Sequence, residues 1–129
     1  MNAIIVYSGG SNTTAVAGYV AEKTGGKAVA VKDASDLDLN AYDKVIIGTR
    51  VRAGKVPSDL SDYVAKNKAV IDQKDPAFFL CCMYNDDKGQ KQVEKIASEL
   101  GFTKFVFFNK GKKIVKEAGN PVDKFIETL

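Results

Sequence analysis

The stretch Ala3-Ile4-Ile5-Val6-Tyr7-Ser8-Gly9-Gly10-Ser11-Asn12-Thr13-Thr14 decides the fold. Its first five residues are a continuous apolar, partly β-branched run, as expected of a strand buried on both faces. Residues 12–23 then read as a helix, with Val16, Tyr19 and Val20 at i, i+3, i+4. Gly25-Gly26 ends it, since glycine suits the left-handed cap. A two-face-buried strand that passes through a glycine turn into a helix opens an α/β unit.

The pattern continues outward. Residues 28–31 form a short second strand, and residues 44–48 (KVIIG) a buried third one. Pro57 opens a helix whose inner face is Leu60, Tyr63 and Val64. Residues 77–82 (AFFLCC) are the fourth strand. In the next helix Val93, Ile96, Ala97 and Leu100 fall at i, i+3, i+4, i+7, and Gly101 caps it. Residues 105–108 make the fifth strand. Asn120, with Pro121 behind it, starts a last helix carrying Val122, Phe125, Ile126 and Leu129. Residues 32–43 hold only a weak helical pattern near 34–39, so a short or irregular helix is expected there. The expected fold is α/β: a five-stranded parallel sheet in the order 2-1-3-4-5, with helices on both faces.

Composition narrows the chemistry. The chain has 129 residues, 45% hydrophobic and 27% charged, which suits one soluble domain over residues 1–129. No apolar run is long enough to span a bilayer. Residues 1–7 lack the basic start and small-residue cleavage site of a signal peptide, so the expected compartment is the cytoplasm. The net charge is +3 without a dense Lys/Arg run, so no nucleic-acid footprint is expected. The chain has no His, which makes zinc sites and Ser-His-Asp chemistry unexpected; no metal and no catalytic residue are assigned.

In open α/β sheets ligands bind beyond the carboxyl ends of the strands, where the winding reverses. For this strand order that point lies between the first and third strands. The loops after Tyr7, Gly48 and Cys82 therefore matter most. In the first, Gly9 and Gly10 let the backbone approach a ligand, and Ser8, Ser11, Asn12 and Thr13 add polar groups. The helix behind contributes free N–H groups and the positive end of its dipole. This is a phosphate cradle built from neutral groups, and it lacks the Walker ending. The alternative is a plain Ser/Gly turn with an Asn or Ser cap.

Residues 7–13 resemble the flavodoxin phosphate loop, [ST]-x-[ST]-G-N-T. Ser8, Asn12 and Thr13 match it, while Gly10 and Ser11 exchange the glycine and the hydroxyl. Leu39-Asn40-Ala41-Tyr42-Asp43-Lys44-Val45-Ile46-Ile47-Gly48 resembles the third strand of the same family. Thr49-Arg50-Val51-Arg52-Ala53-Gly54-Lys55 is most similar to the branch containing flavodoxin-type protoporphyrinogen dehydrogenases. The likeness is specific in the first half of the chain and weak after Cys82. It implies noncovalently bound flavin mononucleotide (FMN) that carries one or two electrons. Ser8, Gly9, Gly10, Ser11, Asn12 and Thr13 would hold its phosphate. Thr49, Arg50, Val51, Arg52, Ala53 and Gly54 would wrap one side of the ring. Cys82, Met83, Tyr84, Asn85 and Asp86 would lie along the other side, with Tyr84 either a stacking partner or a plain surface tyrosine. Gly54 or Ala53 would supply a peptide that reorients toward the reduced ring, unless the glycine serves only the turn.

Arg50, Arg52 and Lys55 distinguish this loop from the acidic surroundings usual in flavodoxins. Cations near the ring favour extra negative charge on it, which implies a less negative reduction potential. They would also dock an acidic redox partner such as a ferredoxin, or simply extend into solvent. Cys81 and Cys82 point to opposite faces of their strand, so one at most faces the ring. The leading expectation is an electron shuttle, as a monomer or a homodimer. The alternative is an FMN-dependent protoporphyrinogen IX dehydrogenase, although the segment after Cys82 passes straight into a helix without a substrate-covering insertion.

Overall fold

The computed structural model describes residues 2–129. Five parallel strands, β1 (Ala3–Ser8), β2 (Lys27–Ala30), β3 (Lys44–Arg50), β4 (Ala77–Cys82) and β5 (Phe105–Asn109), form one sheet in the order β2-β1-β3-β4-β5. This is the order expected from the sequence. Every pairing is parallel, so each connection crosses a face of the sheet, and the helices cover both faces.

Strand alternation divides the core. Ile4, Val6, Val45, Ile47, Phe78 and Leu80 face one side, where α2 (Ser58–Lys66), α3 (Lys68–Asp72) and α4 (Asp87–Leu100) bury Leu60, Val64, Ile71, Val93 and Ile96. Ala3, Ile5, Ile46, Phe79 and Cys81 face the other, against Val16, Ala17 and Val20 of α1 (Ser11–Thr24) and Val122 and Phe125 of α6 (Pro121–Glu127). The side chains of β4 alternate as a strand buried on both faces requires. Cys81 and Cys82 accordingly fall on opposite faces, both as free thiols.

The helix ends follow the caps in the sequence. Gly25 and Gly101 close α1 and α4 in left-handed conformation, at φ 71° and 86°. Asn120 caps α6 by accepting the Asp123 N–H at 3.0 Å, and Asp86 caps α4 by accepting the Lys88 N–H at 3.1 Å. Pro57 stands just before α2, at its N-cap. The weak pattern at 34–39 forms no α-helix. Single 3-10 turns at Val31–Asp33 and Leu39–Ala41 flank it, and Ala34 and Leu39 tuck into the core. Two short helices had no sequence expectation: α3, and α5 (Gly111–Ile114) after β5.

Candidate cofactor site

The carboxyl ends of β1, β3, β4 and β5 surround a cavity of about 490 Å³, lined by Gly10, Ser11, Asn12, Thr13, Arg50, Val51, Cys81, Cys82, Met83, Asn109 and Lys110. A second recess of about 400 Å³ shares Val51 and Met83 with it and adds Arg52, Ala53, Gly54, Tyr84 and Gln92. The three loops that sequence reasoning singled out therefore converge where the winding of the sheet reverses.

The first loop turns sharply into α1. Gly10 is the N-cap and has no capping side chain; its carbonyl accepts the Thr14 N–H at 3.0 Å and the Thr14 hydroxyl at 2.9 Å. A Cβ on Gly9 would stand 2.5 Å from Thr13 Oγ1 and 3.3 Å from Arg50 Cβ, so glycine alone permits this approach. Thr13 is 1% exposed, and its hydroxyl has no hydrogen-bond partner among the described residues. The Cys81 thiol lies beside that hydroxyl without satisfying it. An orphaned buried hydroxyl is costly, and Thr13 is one of the residues that line the cavity.

The remaining loop residues divide. Ser8 lies outside the cavity lining, and its hydroxyl donates to Asp59 Oδ1 at 3.2 Å. Asn12 lines the cavity but turns its Oδ1 to the Lys112 N–H at 2.9 Å. Thr49 is fully buried and donates to the Arg50 carbonyl at 2.9 Å. Asn85 and Asp86 are exposed outside both recesses, and Asp86 is engaged as the cap of α4. Met83 is 88% exposed and Tyr84 41%, the large apolar side chains that stand at the rim. The Lys88 ammonium lies 5.9 Å from the centre of the Tyr84 ring.

Residues 52–55 form a minimal hairpin. Arg52 and Lys55 exchange both backbone hydrogen bonds, at 2.9 and 3.0 Å. Ala53 and Gly54 make the turn at φ 51° and 75°, the double positive φ of a type I′ turn. Alanine is strained there. Among the described residues the ion pairs join Lys44 to Asp75 and Lys68 to Asp72, and neither involves Arg50, Arg52 or Lys55.

Burial pushes the Cys81 thiol up to about 12, and burial also raises Cys82. Both thiols therefore stay protonated at neutral pH and line the wall as small, weakly polar groups. Sequence reasoning missed Cys81, Gln92, Asn109 and Lys110 as lining residues. The last two arrive because α5 packs on α1: a Cβ on Gly111 would stand 2.7 Å from Val16 Cγ2 and 2.8 Å from the Asn12 carbonyl. A glycine inside Asn109-Lys110-Gly111-Lys112 was the available signal of close approach.

The residues present suit a flavin phosphate. The loop is neutral, glycine admits the approach, and a buried hydroxyl waits for an acceptor or donor. The chain matches the family model described as Flavodoxin domain over residues 3–119, and it belongs to that family. It resembles an oxidised flavodoxin 2 from Bacillus cereus at 18% identity and TM-score 0.66, with 100% of each chain covered. It also resembles a flavodoxin from the domain Archaea at 15% identity and TM-score 0.54, covering 98% of this chain and 99% of that one. Rubredoxin oxygen:oxidoreductase from the anaerobe Desulfovibrio gigas matches at 15% identity and TM-score 0.60, over 96% of this chain and 36% of that one. At these identities the likeness is one of fold. No sequence match was found among curated proteins.

Proposed function

We propose that this member of the flavodoxin-domain family binds FMN and passes electrons between redox proteins. The observation that carries the reading is Thr13, whose buried hydroxyl lacks a partner on the wall of a glycine cradle. Gly9 to Thr13 would hold the phosphate, with the N–H groups and dipole of α1 behind it. Arg50 to Gly54 would flank one side of the ring and Cys82 to Tyr84 the other. Bound there, FMN supplies one- and two-electron transfer, while the chain positions it and sets the charge around it.

The rim supports a shuttle. Met83 and Tyr84 are exposed at the mouth of the site, where a partner can approach the ring. Arg50, Arg52 and Lys55 make no ion pair among the described residues, so they are available to an acidic partner of the ferredoxin kind. Steering by these cations makes the exchange rate fall with salt. The two free thiols suit a reducing compartment such as the cytoplasm. No described helix is long and apolar enough to cross a membrane.

The test is anaerobic mixing of the FMN-loaded protein with reduced ferredoxin, followed by the visible spectrum. Stoichiometric bleaching of the flavin bands, slower at high salt, is expected. Turnover of protoporphyrinogen IX without reaction with ferredoxin would replace the shuttle by the dehydrogenase that residues 49–55 resemble. A protein that takes up no FMN would reject both readings.

A further inference from the structure

Beside the cradle lies a groove of about 390 Å³, lined by Asn12, Lys110, Lys112, Lys113 and Lys116. It shares Asn12 and Lys110 with the main cavity. None of the four lysines pairs with a carboxylate among the described residues, so four cationic residues gather at one groove without a recorded counter-ion. Their mutual repulsion falls when an anion enters.

The lysine segment is fixed against the cradle. Gly111 is buried on α1, where a Cβ would meet Val16 and the Asn12 carbonyl. The Lys112 N–H donates to Asn12 Oδ1 at 2.9 Å, which ties the two loops together. Lys110 holds a left-handed backbone at φ 54°, a conformation that a non-glycine residue keeps only where its surroundings impose it. The result is a cationic recess continuous with a neutral phosphate cradle.

We propose that this groove is a second anion site, which takes a phosphoryl group beyond the one in the cradle, so that the chain accepts flavin adenine dinucleotide (FAD) as well as FMN. The inference rests on the cradle holding the flavin phosphate. A pyrophosphate joins its two phosphorus atoms through one oxygen, so the second phosphate of FAD necessarily emerges next to the first. The lysines flank Asn12 and Lys110, which also line the cradle cavity, so they stand at the phosphate end of the site, where a second phosphoryl group would emerge.

The experiment titrates the apoprotein with riboflavin, FMN, FAD, and FMN together with AMP, following flavin fluorescence. Each ligand is added to the parent chain and to the triple variant Lys112→Gln, Lys113→Gln, Lys116→Gln, whose exposed positions leave the core intact. FAD is expected to bind at least as tightly as FMN. The triple variant is expected to weaken FAD about tenfold and FMN by less than about twofold. FAD binding far weaker than that of FMN, or equal losses for both, overturns the groove while leaving the cradle standing. AMP that binds beside FMN with the same lysine dependence overturns the dinucleotide and assigns the groove to a separate nucleotide. Failure of every flavin to bind overturns the cradle and the groove together.

Discussion

The ring of Phe79 lies directly on Gly48: a Cβ on that glycine would stand 2.0 Å from Phe79 Cζ. The two residues are paired across β3 and β4, and Phe79 also packs at 6.1 and 6.4 Å, centre to centre, on Phe108 and Phe125. The missing side chain of β3 thus makes room for an aromatic cluster of Phe79, Phe108 and Phe125. Gly48→Ala should cost about 3 kcal/mol, the upper end of overpacking penalties. Phe79→Leu in the same chain should recover part of that loss, giving a coupling of about 1 kcal/mol or more. Chemical denaturation of the parent, the single variants and the double variant measures it; additive losses would contradict the packing account.

Backbone strain at Ala53 and Gly54 gives opposite effects at neighbouring positions. Ala53→Gly should stabilise the protein by about 0.5–1 kcal/mol, because relief of the left-handed strain exceeds the added freedom of the unfolded chain. Gly54→Ala should cost about 1 kcal/mol from its φ of 75° alone, since a Cβ there meets open space. Thermal unfolding of the two variants checks both signs.

Lys44 is buried at the opposite end of β3 and bonds Asp75 Oδ2 at 2.8 Å. That hydrogen bond, and then the charge of Lys44, lower the Asp75 carboxyl below its ordinary value. A lowered carboxylate contributes stability that is present above its unfolded value and is lost as pH falls through the folded one. Part of the acid sensitivity of the fold should therefore disappear in Asp75→Asn. At pH 7 that variant should lose at most about 1 kcal/mol, because the Asp75 carboxylate is largely exposed and water screens its pair with Lys44. Asparagine tolerates the left-handed backbone at this position, φ 45°, so the change isolates charge. Denaturation between pH 2 and pH 7 compares the slopes.

Arg50 and Arg52 should raise the reduction potential of the bound flavin. Each of Arg50→Gln and Arg52→Gln removes a cation from the loop that would flank the ring and should make the potential more negative. The shift should shrink as salt increases. Spectroelectrochemical titration at two ionic strengths reads it; unchanged potentials would place both guanidinium groups in solvent.

The sequence made the sheet legible because each strand is a run of four or more mostly apolar residues. Residues 77–82 were bounded correctly by the AFFLCC run alone, and the repeating Val93, Ile96, Ala97 and Leu100 with Gly101 marked the existence and the end of α4. Helices α3 and α5 escaped because five and four residues are too few to show a period of 3.6. Much of the candidate site was legible as loop positions, but the side-chain directions were not. Ser8 turns to Asp59, Thr49 turns inward, and Asp86 caps its own helix, all through partners distant or backbone-bound. Lys110 and Asn109 entered the cavity wall through the packing of Gly111 on α1, a contact across about 95–100 residues of chain.

The central claim is that the glycine cradle holds a flavin phosphate, and Thr13 tests it most directly. Thr13→Val removes the orphaned hydroxyl and keeps its shape. The account predicts that the variant apoprotein is more stable than the parent by about 1 kcal/mol, since a buried unsatisfied group is gone. It also predicts that FMN binds about tenfold more weakly while riboflavin, which lacks the phosphate, binds as before. Calorimetric titration of parent and variant with both flavins is the measurement. An unchanged affinity for FMN, or equal losses for FMN and riboflavin, would contradict the cradle.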